Sequence, residues 1–212
     1  MKLALALSAL LLAAPVQRQP RLEIILPAPD VLLSRGPSVR ALDVVSDGET
    51  RSLLESGFPT RMHFRLELWS AGRVFDALRE RYEWEAFIYY DALGKRYRVV
   101  NVGADDEVTS AGQFGSFDEM IREIERPMNV PLRARRQRDR QYYIAVVEVE
   151  SMSLTDLDEL ARWMRGEMQP AVRGDGNPGT ALGRGLRRIF VRLLGAERRN
   201  LQARSRTFLV LR

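Results

Sequence analysis

The 212-residue chain is predicted to be mainly β: an antiparallel β-sandwich, immunoglobulin-like or similar, with three or four short helices including a basic amphipathic one near the C-terminus. Three observations predict it. Arg61–Leu68 alternates polar and apolar residues without a fault, as a half-buried strand requires, and Tyr82–Tyr90 alternates more loosely. Some seven short strand candidates are separated by Gly, Pro and Asp. Strands do not alternate with long helices, which argues against a parallel doubly wound sheet.

The elements follow in order. Leu22–Leu26 and Val39–Val45 are short strand candidates. Ser46-Asp47-Gly48-Glu49 fits a capping box that opens a helix burying Leu53 and Leu54 and ending at Gly57. Arg61–Leu68 is the clearest strand. Tyr82, Trp84, Ala86, Ile88 and Tyr90 then alternate with charged and aromatic neighbours, and Asp91–Lys95 turns the chain into Arg96–Val100, with Gly94 free to take positive φ. Ser116-Phe117-Asp118-Glu119 opens a second helix that Pro127 stops. Gln141–Glu150 is another strand, and Thr155-Asp156-Leu157-Asp158 opens a third helix. Thr207–Leu211 is the last strand candidate.

The N-terminus carries an address. Lys2 is followed by an apolar run from Leu3 to Ala14 broken only by Ser8, and then by Pro15 and polar residues. This is the layout of a secretory signal peptide, too short to span a bilayer, with small residues before the cut. Three regions are expected: a signal peptide at 1–14, a sandwich domain with inserted helices at 20–172, and a segment at 173–212 holding a Gly-rich linker, the basic helix and the final strand. The expected location is extracytoplasmic, in the periplasm or cell envelope. With no cysteine, there is no disulfide framework and no thiolate zinc site.

Charge is unevenly spread. The chain is +5 overall, yet residues 173–212 hold ten arginines against Asp175 and Glu197, a local balance of +8. Residues 15–172 are mildly acidic. A partner surface is therefore sought in the C-terminal fifth. Lys2 and Lys95 are the only lysines, which reads as a GC-rich genome and not as nucleic-acid recognition.

The ordered strings Leu54-Glu55-Ser56-Gly57-Phe58-Pro59, Tyr90-Asp91-Ala92-Leu93-Gly94-Lys95-Arg96-Tyr97, Phe117-Asp118-Glu119 and Tyr142-Tyr143-Ile144-Ala145 resemble a domain-of-unknown-function family of short exported bacterial proteins. The resemblance covers residues 36–165, and the basic C-terminal extension departs from it. It implies an exported domain and no catalytic residues.

The residues themselves argue against catalysis. His63 is the only histidine and sits between Arg61 and Arg65 on the polar side of its strand, as a surface histidine would. One histidine without cysteine supplies neither a catalytic triad nor three metal ligands. Asp105-Asp106-Glu107 lacks the spaced ligands of a calcium loop and reads as a solvated turn. Gly179, Gly183 and Gly185 follow no strand and lack Lys-Ser/Thr, so no phosphate loop is expected. Trp84, Tyr89, Tyr90 and Tyr97 are expected to fill the core and not to form a sugar platform. Trp69 falls on the polar side of its strand, where it either packs under the Arg73–Leu78 loop or faces a partner.

Thr180–Gly195 has Leu182, Leu186, Ile189, Phe190, Leu193 and Leu194 on one stripe, with arginines on the flanks. The candidate membrane or partner contacts are Arg184, Arg187, Arg188, Arg192, Arg198, Arg199 and Trp69. The leading reading is a non-catalytic envelope protein that binds or scaffolds another component. An alternative is a peripheral membrane module working through helix 180–199 on an anionic surface. An envelope hydrolase using paired carboxylates is the third class, and it needs two carboxylates facing each other across a cleft. No cofactor and no nucleic-acid partner are expected.

Overall fold

The computed structural model describes residues 19–105, 107–136, 140–151 and 198–210. Within them the order is β1 (Arg21–Ile25), α1 (Pro29–Leu32), β2 (Ser38–Leu42), α2 (Gly48–Glu55), β3 (Thr60–Ala71), β4 (Ala77–Asp91), β5 (Arg96–Val102), β6 (Val108–Phe114), α3 (Phe117–Ile124), β7 (Met128–Asn129), β8 (Arg140–Ser151) and β9 (Arg198–Arg204). The protein is mainly β, and all pairing is antiparallel. A three-stranded sheet has the order β1-β2-β7, and a six-stranded sheet has the order β6-β5-β4-β3-β8-β9. Strands β3 to β6 form a meander, and β8 adds to the free side of β3.

The alternation in β3 sets the geometry. Thr60, Met62, Phe64, Leu66, Leu68 and Ser70 are buried, while the residues between them are only partly so. Trp84, Ala86 and Ile88 of β4, Tyr97 and Val99 of β5, and Tyr143, Ala145, Val147 and Val149 of β8 join the same core. The small sheet contributes Leu22, Val39 and Ala41, and the helices add Leu54, Phe117 and Met120. Tyr90 and Tyr97, directly paired across the β4–β5 ladder, have ring centroids 4.8 Å apart. Trp84, Tyr90 and Tyr97 pack in the core as expected, whereas Tyr89 lies outside that core cluster.

Helix starts follow their chemistry with one adjustment. The N-cap of α2 is Asp47, one residue after the expected Ser46, and its carboxylate accepts from the Thr50 N–H at 2.7 Å. Ser116 caps α3 and accepts from the Glu119 N–H, while the Glu119 carboxylate accepts from the Gly115 N–H. The Tyr97 hydroxyl donates to Glu55 at 2.6 Å and ties α2 to the sheet. Burial, and then this bond, push its pKa up to about 12.

Two expectations are corrected. The left-handed residue of the β4–β5 turn is Lys95 at φ 49°, not Gly94, because Asp91 Oδ1 accepts from the Leu93 and Gly94 N–H groups and draws the turn tight ahead of it. Among the described residues the last strand is Arg198–Arg204, not the expected Thr207–Leu211; within Thr207–Val210, Phe208 forms an isolated bridge to Gln141. Leu201 and Ala203 of β9 pack on the core. The charged remainder suits an edge strand and hid the pattern. Strand β6, rich in Ser, Gly and Gln, also carries no sequence signal of its own. The leader at 1–14, the helix opening at Thr155 and the helix 180–195 lie outside the described residues.

Candidate functional site

Where the small sheet crosses the core face of the meander, the packing leaves a pocket of about 350 Å³. Its walls come from both sheets and from the end of α3. Val39 and Ala41 of β2, Phe64 of β3, Trp84 and Ala86 of β4 and Val99 of β5 form an apolar floor. Phe64 and Trp84 stack with centroids 4.9 Å apart and planes 2° from parallel, which makes the floor flat and rigid. The cavity exists because Ala41 and Ala86 are small where the sheets face each other. Asn101, Thr109, Glu123 and Arg126 line it on the polar side. Arg126 and Glu123 pair at 2.7 Å, and Thr109 donates to the Asn101 carbonyl at 3.3 Å. The site suits an apolar body with a polar end, and its volume is in the range of small-molecule pockets.

The opposite face of the large sheet concentrates charge. Arg61 lies between Glu85 on β4 and Glu150 on β8 and pairs with both. Glu85 and Glu150 are buried and Arg61 is nearly so, with side-chain relative exposures of 5%, 10% and 12%. Two carboxylates therefore do face each other here, but across a guanidinium that bridges them, not across a cleft. His63, one pleat along, has Nε2 3.7 Å from Glu83 and neighbours Glu85 and Glu148 in register. It is more enclosed than a surface histidine. Burial, followed by the Arg61 charge, lowers its pKa below the ordinary value despite the surrounding carboxylates.

The expected contact residues are dispersed. The Arg199 guanidinium donates to Asp47 at 2.7 Å and to the Thr50 hydroxyl at 2.8 Å, clasping the N-cap of α2. Burial opposes the Asp47 charge, but bonds from Thr50 and Arg199 outweigh it and hold the carboxyl below its usual range. Arg198 starts β9 opposite Glu150. Trp69 donates its indole N–H to Glu67 at 2.9 Å and stacks on Tyr142, whose hydroxyl donates to Asp76. Trp69 thus packs against β8, and Tyr142 links it to the connection that follows β3. Arg184, Arg187, Arg188 and Arg192 lie outside the described residues. Among the described residues, no cluster of His, Asp and Glu is able to hold a metal ion, and no helix is long and apolar enough to cross a membrane.

The family model described as a domain of unknown function (DUF4390) matches residues 41–168, more than half of the chain. The chain belongs to this family. The DUF4390 region begins within β2 and runs past β8, so it contains every pocket wall named above except Val39. It lies within a few residues of the limits expected from the capped helices and the tyrosine hairpin. No curated protein and no solved structure matches the chain.

The pocket itself was not foreseen from sequence. Its walls are contributed by strands and a helix far apart in the chain. The available signal was two alanines at inward strand positions, Ala41 on β2 and Ala86 beside Trp84 on β4.

Proposed function

We infer that this DUF4390 member is an exported, non-catalytic envelope protein that binds an apolar chain with a polar end. Its two sheets act as a sandwich that opens at one place. The pocket between them carries the reading: an apolar floor with a rigid aromatic stack, lined also by Asn101, Thr109, Glu123 and Arg126. Export is supported by the basic start and apolar run of residues 1–14. A non-catalytic role is supported by the charged face, where both buried carboxylates are engaged by Arg61.

In this reading the ligand's apolar part lies on the Phe64–Trp84 stack. Its polar end meets Asn101, Thr109 and the Glu123–Arg126 pair. The test is native mass spectrometry of full-length protein taken from the envelope without denaturant, followed by organic extraction. The expected result is one apolar small molecule per chain, lost in the pocket-filling variant Ala86→Leu. Equal ligand content in wild-type protein and variant would overturn the reading.

A further inference from the structure

A second surface, remote from the pocket and independent of it, is built at one end of the large sheet. Strand β3 ends there, β4 begins there, β8 begins there, and β9 ends there, as the antiparallel register requires. The β3–β4 connection, Gly72–Asp76, projects from this end. Val74 and Phe75 at its tip are 80% and 85% exposed.

This exposure is held in place. Asp76 accepts from the Gly72 N–H at 3.2 Å and from the Tyr142 hydroxyl at 2.7 Å, so the loop is closed and anchored to β8. Gly72 leaves no room for a side chain, because a Cβ there would lie 2.0 Å from the Phe75 carbonyl oxygen. Underneath, Trp69 stacks on Tyr142, and the Arg204 guanidinium covers the Tyr142 ring at 3.8 Å.

Arginines surround the tip. Arg73 is in the loop, Arg79 donates to Ser70 beneath it, and Arg140 pairs with Ala71. Arg135 and Arg136 approach through the two bonds between Arg135 and the Gln141 side chain, and Arg206 lies beside the start of β8. The acids near this end include Asp76, Glu80 and Glu67, and each is engaged, by Tyr142, by Arg135, and by Trp69 and Arg65 respectively.

We propose that this end of the protein docks on the surface of an anionic lipid bilayer, with Val74 and Phe75 entering the interface and the surrounding arginines meeting the headgroups. A bilayer offers negative charge and hydrocarbon in adjacent layers, which is the order in which this surface presents arginine and apolar tip. Long arginine side chains reach back to the headgroups while the tip goes deeper. Single-stranded nucleic acid would call for several aromatic stacking faces along a groove, and the tip exposes one aromatic beside a valine.

The chain has no cysteine, so Val74→Cys supplies a single thiol for a polarity-sensitive fluorophore at an exposed site. A second labelled protein, Leu93→Cys, serves as control at the far end of β4, where Leu93 is 99% exposed. Full-length labelled protein is mixed with vesicles containing phosphatidylglycerol or with vesicles of phosphatidylcholine alone. The expected result is a blue shift, and quenching by acyl-chain-brominated lipid, at position 74 only and with the anionic vesicles only. Raised salt reverses it. Phe75→Ser, or Arg73→Glu with Arg136→Glu, lowers partitioning at least about tenfold. The pocket-filling Ala86→Leu leaves the response unchanged, which separates this surface from the ligand site. A label at 74 that stays in water while the protein sediments with vesicles overturns the proposal, as does an equal response at 93 or with neutral vesicles.

Discussion

Arg61 is the residue on which the charged face of the sheet turns. It bridges Glu85 and Glu150, each buried, on the strands to either side. Truncating it leaves two buried carboxylates facing each other. Arg61→Ala is therefore expected to destabilise the protein by about 3–5 kcal/mol, read from urea unfolding. A loss within the range of an exposed ion pair, about 1 kcal/mol or less, would show that the bridge is a surface feature. His63 beside it gives a pH signature. Its folded pKa is depressed, so the neutral form is favoured by folding. That contribution is complete above the unfolded value of about 6.5 and is lost as pH falls below it. His63→Gln should flatten stability against pH between about 6.5 and 5, where wild-type protein weakens on acidification. Equal slopes would contradict the burial that lowers the pKa. At this scale the sequence showed which side of β3 is polar, from the Arg61, His63, Arg65 alternation. It did not show that this side is enclosed. Phe87, Tyr142 and Val146 are buried on the same face, and their apolar character is diluted in sequence by Glu83, Glu85 and Glu148.

Among the elements, the connection between α1 and β2 is the most constrained. Gly36 has φ +79°, and a Cβ there would lie 2.4 Å from the Val130 carbonyl oxygen and 2.6 Å from that of Leu132. Neither carbonyl moves freely: the residues 130–134 segment is fastened by the Val130 N–H to the Pro37 carbonyl and by the Ala134 N–H to the Leu32 carbonyl. Gly36→Ala is expected to cost more than about 2 kcal/mol, since backbone strain and overpacking add. A change under about 0.5 kcal/mol in chemical denaturation would mean that the segment yields. The elements that were legible in sequence include the alternating strands β3 and β4, the apolar runs of β1, β2, β5 and β8, and the helices with a capping side chain, α2 and α3. Strand β9 was not, because an edge strand needs only Leu201 and Ala203 to reach the core and is otherwise free to be charged. Its arginines resembled the tail of a basic helix for that reason.

Among the described residues, two sheets share one core, and a gap opens between them. Core formation was predictable from periodicity. The gap was not, since it depends on how β2, β7 and α3 sit over the meander, and periodicity within a strand does not encode that placement. The exposed tip was partly legible: a five-residue connection from Gly72 to Asp76 is too short to bury both Val74 and Phe75. The DUF4390 region covers the pocket walls from Ala41 onward, while β9 and its Arg199 clasp lie beyond it. Export makes its own prediction. The mass of the protein recovered from the periplasmic fraction should correspond to a chain beginning close after Ala14. Recovery from the cytosol with Met1–Ala14 intact would remove the envelope assignment.

The most direct test of the binding role is titration of wild-type protein and Ala86→Leu with an apolar fluorescent reporter at matched concentration, with urea unfolding run in parallel. Leucine at position 86 fills the space above the Phe64–Trp84 stack and is expected to leave stability equal or raise it by about 0.5–2 kcal/mol. Wild-type protein should bind one reporter per chain with quenching of tryptophan emission, and the filled variant should not bind. Equal binding by both proteins, or no binding by a wild-type protein shown to be folded and ligand-free, would contradict the account.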